Sequence, residues 1–250
     1  FVENNHEIYL IFQKELNNRD HYNFFQQKGC KMYEIYFDRH GLNPIKEFIT
    51  FVQVFRLYNK IKPDIAFHFT IKPNIYGSIV TRLCRAYSIN NITGMGYFFF
   101  TRGLTKFILF LLYKISIKRS SHTFFQNKED AKYFLENKLI LKNKFSIIPG
   151  SGVDFKYYKF CKYPKNIVIK FLFIGRLIKE KGIYEFLQAA EEIKKNKFNC
   201  EFYILGNIDG KNKSNVSIKL VENLHNKNII QYLGEINDIR TIIKKIDAVV

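Results

Sequence analysis

Tryptophan is absent, and the four cysteines (Cys30, Cys84, Cys161, Cys200) stand far apart with no C-x-x-C pair. Such spacing supports neither a zinc site nor a disulfide framework, so free cytosolic thiols are expected. The six histidines show no H-x-H or H-x-x-x-H spacing, so no metal site is expected from them either. No apolar run reaches the roughly 18 residues of a bilayer-crossing helix, which excludes a protein held by one. No signal peptide is visible. Acids are scarce: 22 Asp and Glu face 40 Lys and Arg, for a formal charge of +18. That excess calls for an anionic partner, whether nucleic acid, phosphorylated ligand or membrane surface.

What is present is ordinary globular composition, 47% hydrophobic and 25% charged, in 250 residues, which is enough chain for two small domains or one large one. The mix rich in Lys, Asn, Ile, Phe and Tyr is one that AT-rich codons produce unaided, so the distribution of charge carries more than its total. From Ile65 to Lys128 there is no Asp or Glu, while Lys72, Arg82, Arg85, Arg102, Lys106, Lys114, Lys118, Arg119 and Lys128 supply nine cations. The chain opens at Phe1 and stops at Val250 inside an apparent buried strand, so it reads as part of a longer protein.

Short β-branched or aromatic runs alternate with segments of helical period. Strands are expected at Glu7–Phe12, Lys31–Phe37, Asp64–Thr70, Thr123–Gln126 and Phe145–Ile148, then at Ile167–Ile174, Asn199–Leu205, Ile229–Leu233 and Asp247–Val250. Helices are expected at Asn74–Ala86, Ile183–Asn196, Val216–His225 and Ile236–Ile246. Ile183, Phe186, Leu187, Ala190 and Ile193 recur at the three-and-four spacing of one buried face. The alternation predicts an α/β protein with doubly wound parallel sheets. Periodicity fails across Asp154–Lys165, which predicts two Rossmann-like domains, 1–160 and 161–250, the second incomplete.

Tyr97–Arg119 has leading aromatics, an apolar centre and flanking cations, among them Arg102, Lys106, Lys114, Lys118 and Arg119. Two readings fit: a helix lying in a membrane interface with its cations reaching anionic headgroups, or a buried α/β helix with a wet edge. Nucleic acid is the less favoured partner, because no RNP-type motif, zinc knuckle or helix-turn-helix is present. His68 lies on the Asp64–Thr70 strand, where a lone histidine is more often a satisfied core residue than a site residue.

In Phe171–Leu187 a buried strand runs into Gly175, and a short loop then carries Arg176, Lys179 and Lys181 to a helix starting near Gly182. Cations and free backbone N–H groups beside a helix N-terminus suit a phosphate. A solvated basic loop is the plainer alternative, and no Walker loop is present.

Gly175-Arg176-Leu177 followed by Glu180-Lys181-Gly182 resembles the G-R-L-x-x-E-K-G signature of retaining family-4 glycosyltransferases of GT-B fold. Pro149-Gly-Ser-Gly-Val-Asp154 resembles that family's G-[SN]-G-V-D segment. Tyr203-Ile-Leu-Gly206 and Tyr232-Leu-Gly234 are similar to its glycine-ended strand and its F-L-G. Pro63-Asp64-Ile65, Lys72-Pro-Asn-Ile-Tyr-Gly77 and Asn91-Ile-Thr-Gly-Met-Gly96 resemble stretches of the bacterial surface-polysaccharide transferases.

The resemblance implies two Rossmann-like domains facing a cleft, and sugar transfer from a nucleotide sugar, usually a UDP-sugar, without cofactor or metal. It implies a polyprenyl-diphosphate-linked acceptor at the cytoplasmic face of the inner membrane, an anionic membrane surface as partner, and a role in capsule, O-antigen or other glycan synthesis. Arg176 and Lys181 would hold the donor diphosphate, with Gly175, Gly206, Leu233 and Gly234 near the nucleotide. Lys72, Asn74, Thr93 and Gly94 would face the acceptor. Thr93 stands where many members carry a His or an acid, so no catalytic residue is assigned. The family's two glutamates eight residues apart and its N-terminal glycine-rich turn fall outside the chain. An inactive truncated fragment is therefore the alternative, with a basic nucleic-acid-binding α/β protein behind it.

Overall fold

A computed structural model describes residues 2–13, 19–37, 43–95, 103–208, 214–236 and 238–250. The chain divides into two compact units, Phe1–Gly152 and Val153–Val250.

In the first unit, β1 (Tyr9–Gln13), α1 (Arg19–Gln27), β2 (Lys31–Ile35), α2 (Pro44–Ile61), β3 (Ile65–Phe69), α3 (Ile71–Leu83), β4 (Tyr87–Ile92), α4 (Gly103–Ser116), β5 (His122–Phe125), α5 (Lys128–Glu136) and β6 (Phe145–Ile147) follow one another. All pairings are parallel: β1 with β2, and β3-β4-β5-β6 in that order. Local chemistry sets the ends of α2. The Asn43 side chain accepts from the Ile45 and Lys46 amides, Pro44 opens the helix, and Lys62 closes it in the left-handed region at φ 51°. Asn127 caps α5 in the same way, accepting from the Asp130 amide at 2.7 Å. Tyr113, Phe125, Phe134 and Ile117 fill the core between α4, α5 and the sheet, with Phe134 edge-on to both Tyr113 and Phe125.

The strand β4 is absent from the sequence expectation because its inward row is polar. Ser88 and Asn90 are buried beside Ile92. Their burial is tolerable because Asn90 Oδ1 accepts from Ser78 at 2.8 Å and pairs with His68 Nδ1 at 3.0 Å.

The second unit holds β7 (Ile169–Ile174), α6 (Ile183–Lys195), β8 (Cys200–Leu205), α7 (Ile218–Asn226), β9 (Gln231–Tyr232), α8 (Arg240–Ile243) and β10 (Ala248–Val249). The sheet is parallel, in the order β10-β7-β8-β9. The predicted face of α6 is the observed one: Ile183, Phe186, Leu187 and Ala190 are buried against Phe173, Phe202 and Ile204, with Ile193 packed beside them. The helix expected over Ile236–Ile246 is only α8. Its apolar period is real, since Ile239, Ile242 and Ile243 pack on Leu172 and Leu205, but Asp238 binds Arg240 across the start and the chain must turn by Asp247 to enter β10.

The division at Gly152/Val153 lies eight residues before the expected 160/161 boundary. Residues 153–160 go with the second unit because the Arg240 guanidinium lies 3.7 Å over the Tyr157 ring and donates to the Tyr157 carbonyl.

Candidate functional site

In the second unit the chain passes from β7 to β8 and β9 on one side and returns to β10 on the other. The order therefore reverses at β7, and ligands of open α/β sheets bind beyond the strand ends at such a reversal. The loop leaving β7 there is Gly175–Gly182.

Backbone hydrogen bonds draw three strand ends together. The Gly175 amide donates to the Leu205 carbonyl at 3.0 Å, and the Gly206 amide to the Gly234 carbonyl at 2.8 Å. Tyr232 Oη donates to the Gly206 carbonyl at 3.2 Å, and the Leu233 amide to the Ile204 carbonyl. Gly206 must be glycine, since a Cβ there would stand 1.8 Å from the Gly175 carbonyl oxygen. The close approach at Gly206 is thus to the chain's own backbone. Gly175, Gly206, Leu233 and Gly234 are thereby brought together at the ends of three neighbouring strands.

Leu177 and Ile178 are buried and anchor the loop, the Leu177 amide bonding the Asn207 carbonyl and its carbonyl accepting from the Val216 amide. Arg176, Lys179 and Lys181 are exposed. Lys179–Lys181 forms a single 3-10 turn, and Gly182, at φ 81°, sets the start of α6 without any side-chain cap. Among the described residues no side chain caps the first amides of α6, the kind of helix start that can meet an anion. Glu180, inside this cationic loop, accepts from Ser214 Oγ at 2.6 Å, and that bond, helped by a backbone bond and by Arg176 and Lys179, lowers its pKa. The Glu180 carboxylate is thereby tied to Ser214 across the loop.

In the first unit, Lys72 and Asn74 lie in the first turns of α3, which starts three residues before the helix expected from Asn74. Lys72 Nζ is 2.5 Å from Glu47 Oε1, and Tyr76 Oη donates to the other Glu47 oxygen at 2.6 Å. Glu47, which the sequence expectation missed, thus joins α2 to α3. Burial and the Glu47 carboxylate push the Tyr76 hydroxyl well above the ordinary tyrosine range. Asn74 is buried, and its Nδ2 donates to the Asn91 carbonyl at 3.0 Å. Asn74 therefore ties α3 to the end of β4, a correction to its expected place at the ligand surface. Among the described residues no donor meets its Oδ1 or that of Asn91. Thr93 and Gly94 follow β4 and are exposed.

His68 is a core residue. It is buried, its Nε2 pairs with Tyr58 Oη at 3.1 Å, and its ring fills the space over Gly77. Burial pushes its pKa down to about 4, against the Asn90 bond.

Helix α4 presents two apolar faces. Leu109, Tyr113 and Ser116 are buried, whereas Leu104, Phe107, Ile108, Leu111 and Ile115 point outward. Leu104 is 73% exposed and Phe107 64%, so the outer face of α4 is largely apolar. Lys114 and Arg119 are exposed and Lys106 and Lys118 half-buried. Arg102, with Gly96 to Thr101, lies outside the described residues. Among the described residues, no helix is long and apolar enough to cross a membrane.

Comparison with known proteins identifies a family for each unit. The "Glycosyl transferase 4-like" family matches residues 1–127, and "Glycosyl transferases group 1" matches residues 163–250. An N,N'-diacetylbacillosaminyl-diphospho-undecaprenol alpha-1,3-N-acetylgalactosaminyltransferase of Campylobacter jejuni is 24% identical over 89% of this chain and 61% of its own length. A UDP-Gal:alpha-D-GlcNAc-diphosphoundecaprenol alpha-1,3-galactosyltransferase of Escherichia coli is 24% identical over 84% of this chain and 57% of its own. The chain thus spans about three fifths of these curated relatives. Among solved structures, Anabaena HepE in complex with UDP aligns with a TM-score of 0.68 at 12% identity, over 98% of this chain and 73% of its own. The fold is GT-B.

Proposed function

The chain belongs to the glycosyl transferase 4-like family, and we propose that its protein moves a sugar from a UDP-sugar to a polyprenyl-diphosphate-linked saccharide in envelope polysaccharide or glycan synthesis. The observation that carries this reading is the Gly175–Gly182 loop: exposed Arg176 and Lys181 beside the uncapped start of α6, at the point where the strand order reverses. The relatives supply the chemistry of the two substrates, since their names carry diphospho-undecaprenol acceptors and, in one, UDP-galactose.

In this reading the leaving group is the nucleoside diphosphate. Charge grows on its oxygens as the glycosidic bond breaks, and Arg176, Lys181 and the first α6 amides meet that charge without rearranging. No metal is needed for that task. The sugar is transferred with retention of configuration, and it is a hexose or an N-acetylhexosamine. Thr93 and Gly94 line the acceptor side with Lys72, while Asn74 acts by fixing α3 to β4.

The protein works at the inner face of the cytoplasmic membrane, held there in part by α4. Its outward Leu104, Phe107, Ile108, Leu111 and Ile115 enter the interface, and Lys106, Lys114, Lys118 and Arg119 meet anionic headgroups.

The test is transfer by the full-length protein from radiolabelled UDP-sugars to an undecaprenyl-diphosphate-linked saccharide. Label should appear in the lipid-linked product with at least one UDP-sugar. No transfer from any of them, together with no measurable affinity for UDP, would remove the reading.

A further inference from the structure

Beyond the sites above, the segment Val153–Ile167 carries a second surface of unusual composition. Phe155 is 84% exposed, Phe160 92%, Tyr163 83% and Ile167 94%. Lys156, Lys159, Lys162 and Lys165 alternate with these rings and are exposed as well. No acid occurs from Phe155 to Lys179. Four large apolar side chains left in water within thirteen residues are costly to solubility unless something covers them.

The segment does not hang free. Arg240 stacks on Tyr157 at one end. At the other, Asn166 Nδ2 donates to the Lys245 carbonyl and to Asp247 Oδ2, each at 2.9 Å, and Asp247 also accepts from the Lys170 amide. Phe160, Lys162 and Tyr163 lie exposed between these two anchored points. Beside the pinned part lies a groove of about 590 Å³, and Lys156, Lys159 and Lys244 are among the residues that line it. Among the described residues that line it, the carboxylate is that of Asp238, which is held by Arg240 at 2.6 Å.

We propose that residues 155–167 form a membrane-docking loop for the second unit, its aromatic rings seated at the headgroup level of an anionic bilayer and its lysines, with the groove, on lipid phosphates. Charge complementarity selects this partner. Rings sit well at the boundary between headgroups and chains, and each nearby lysine adds attraction to an anionic leaflet. An irregular loop suits that depth, because its backbone groups stay hydrated there and would not deeper in the bilayer. A single-stranded nucleic acid would also meet lysines alternating with rings. It is the poorer fit: Tyr157 already carries Arg240 on its face and Tyr158 at its edge, and Ile167 offers no stacking face. The proposal does not depend on α4 or on the donor loop.

The experiment is co-sedimentation of the full-length protein with vesicles of phosphatidylglycerol and phosphatidylcholine in equal parts, and with pure phosphatidylcholine. The variants are Lys156→Gln/Lys159→Gln/Lys162→Gln/Lys165→Gln and, separately, Phe155→Ser/Phe160→Ser. At about fivefold per lysine near the surface, the quadruple variant should lose at least about tenfold in partitioning to the anionic vesicles. The aromatic variant should lose affinity too, and both should keep the parent's affinity for UDP and its melting temperature. A loss of less than about threefold in both variants overturns the proposal. So does a pattern in which both keep vesicle binding but lose binding to a single-stranded oligonucleotide. A Phe107→Ser/Leu111→Ser variant in α4 separates the two surfaces: its failure to bind vesicles, with the loop variants unaffected, assigns docking to α4 alone and likewise overturns the loop.

Discussion

Gly206 and Gly175 touch backbone to backbone: a methyl group on Gly206 would stand 1.8 Å from the Gly175 carbonyl oxygen. Two strand ends cross there at a distance that only hydrogen at Cα permits, and this crossing fixes the loop that carries Arg176.

Gly206→Ala should therefore damage fold and site together. The neighbour is backbone rather than a flexible side-chain tip, so the strand ends must separate, at a cost of about 3 kcal/mol. Urea unfolding followed by far-UV circular dichroism should show that loss, and UDP affinity should fall with it. A variant as stable as the parent would show that the crossing is not required.

Lys72 and Glu47 are both 15% exposed at their side chains and lie 2.5 Å apart. Glu47→Ala leaves an ammonium largely out of water with Tyr76 also losing its acceptor, and should cost about 2 kcal/mol. Lys72→Met should cost less, because Glu47 keeps Tyr76. Comparing the two midpoints in urea checks the order, and equal losses would contradict it.

Burial of neutral His68 makes stability depend on pH. Its pKa in the fold is about 4 against the ordinary 6.5, so the unfolded chain binds the proton more readily between those values. The stabilisation is complete above about pH 6.5 and is lost as pH falls toward 4, by up to about 3 kcal/mol. His68→Gln should flatten that part of the stability profile, measured by urea unfolding at several pH values, relative to the parent. An unchanged slope would mean that His68 does not titrate there.

Much of this was legible in sequence where one rule sufficed. Ile183, Phe186, Leu187 and Ala190 announced α6 by spacing, and Gly175, Arg176, Lys181 and Gly182 announced the loop before it. Failures came where partners far apart in sequence decide. A strand with Ser88 and Asn90 inward looks like a loop until Ser78 and His68 are placed against it. Asn74 looks like a surface contact until β4 stands beside it. Glu47 carried no signal, since its meaning lies in Lys72 and Tyr76, 25 and 29 residues away. The outward face of α4 was half legible: the apolar centre and flanking cations of Tyr97–Arg119 read as a helix, but they do not say which face meets the core.

The central claim is that the exposed cations of the Gly175–Gly182 loop hold a nucleoside diphosphate, and calorimetric titration of UDP tests it most directly. Arg176 and Lys181 are exposed, so Arg176→Ala and Lys181→Ala should leave the melting temperature unchanged. Each should weaken UDP about tenfold, as expected for loss of a charged hydrogen bond, and the double variant more. Full UDP affinity in the double variant would contradict the account.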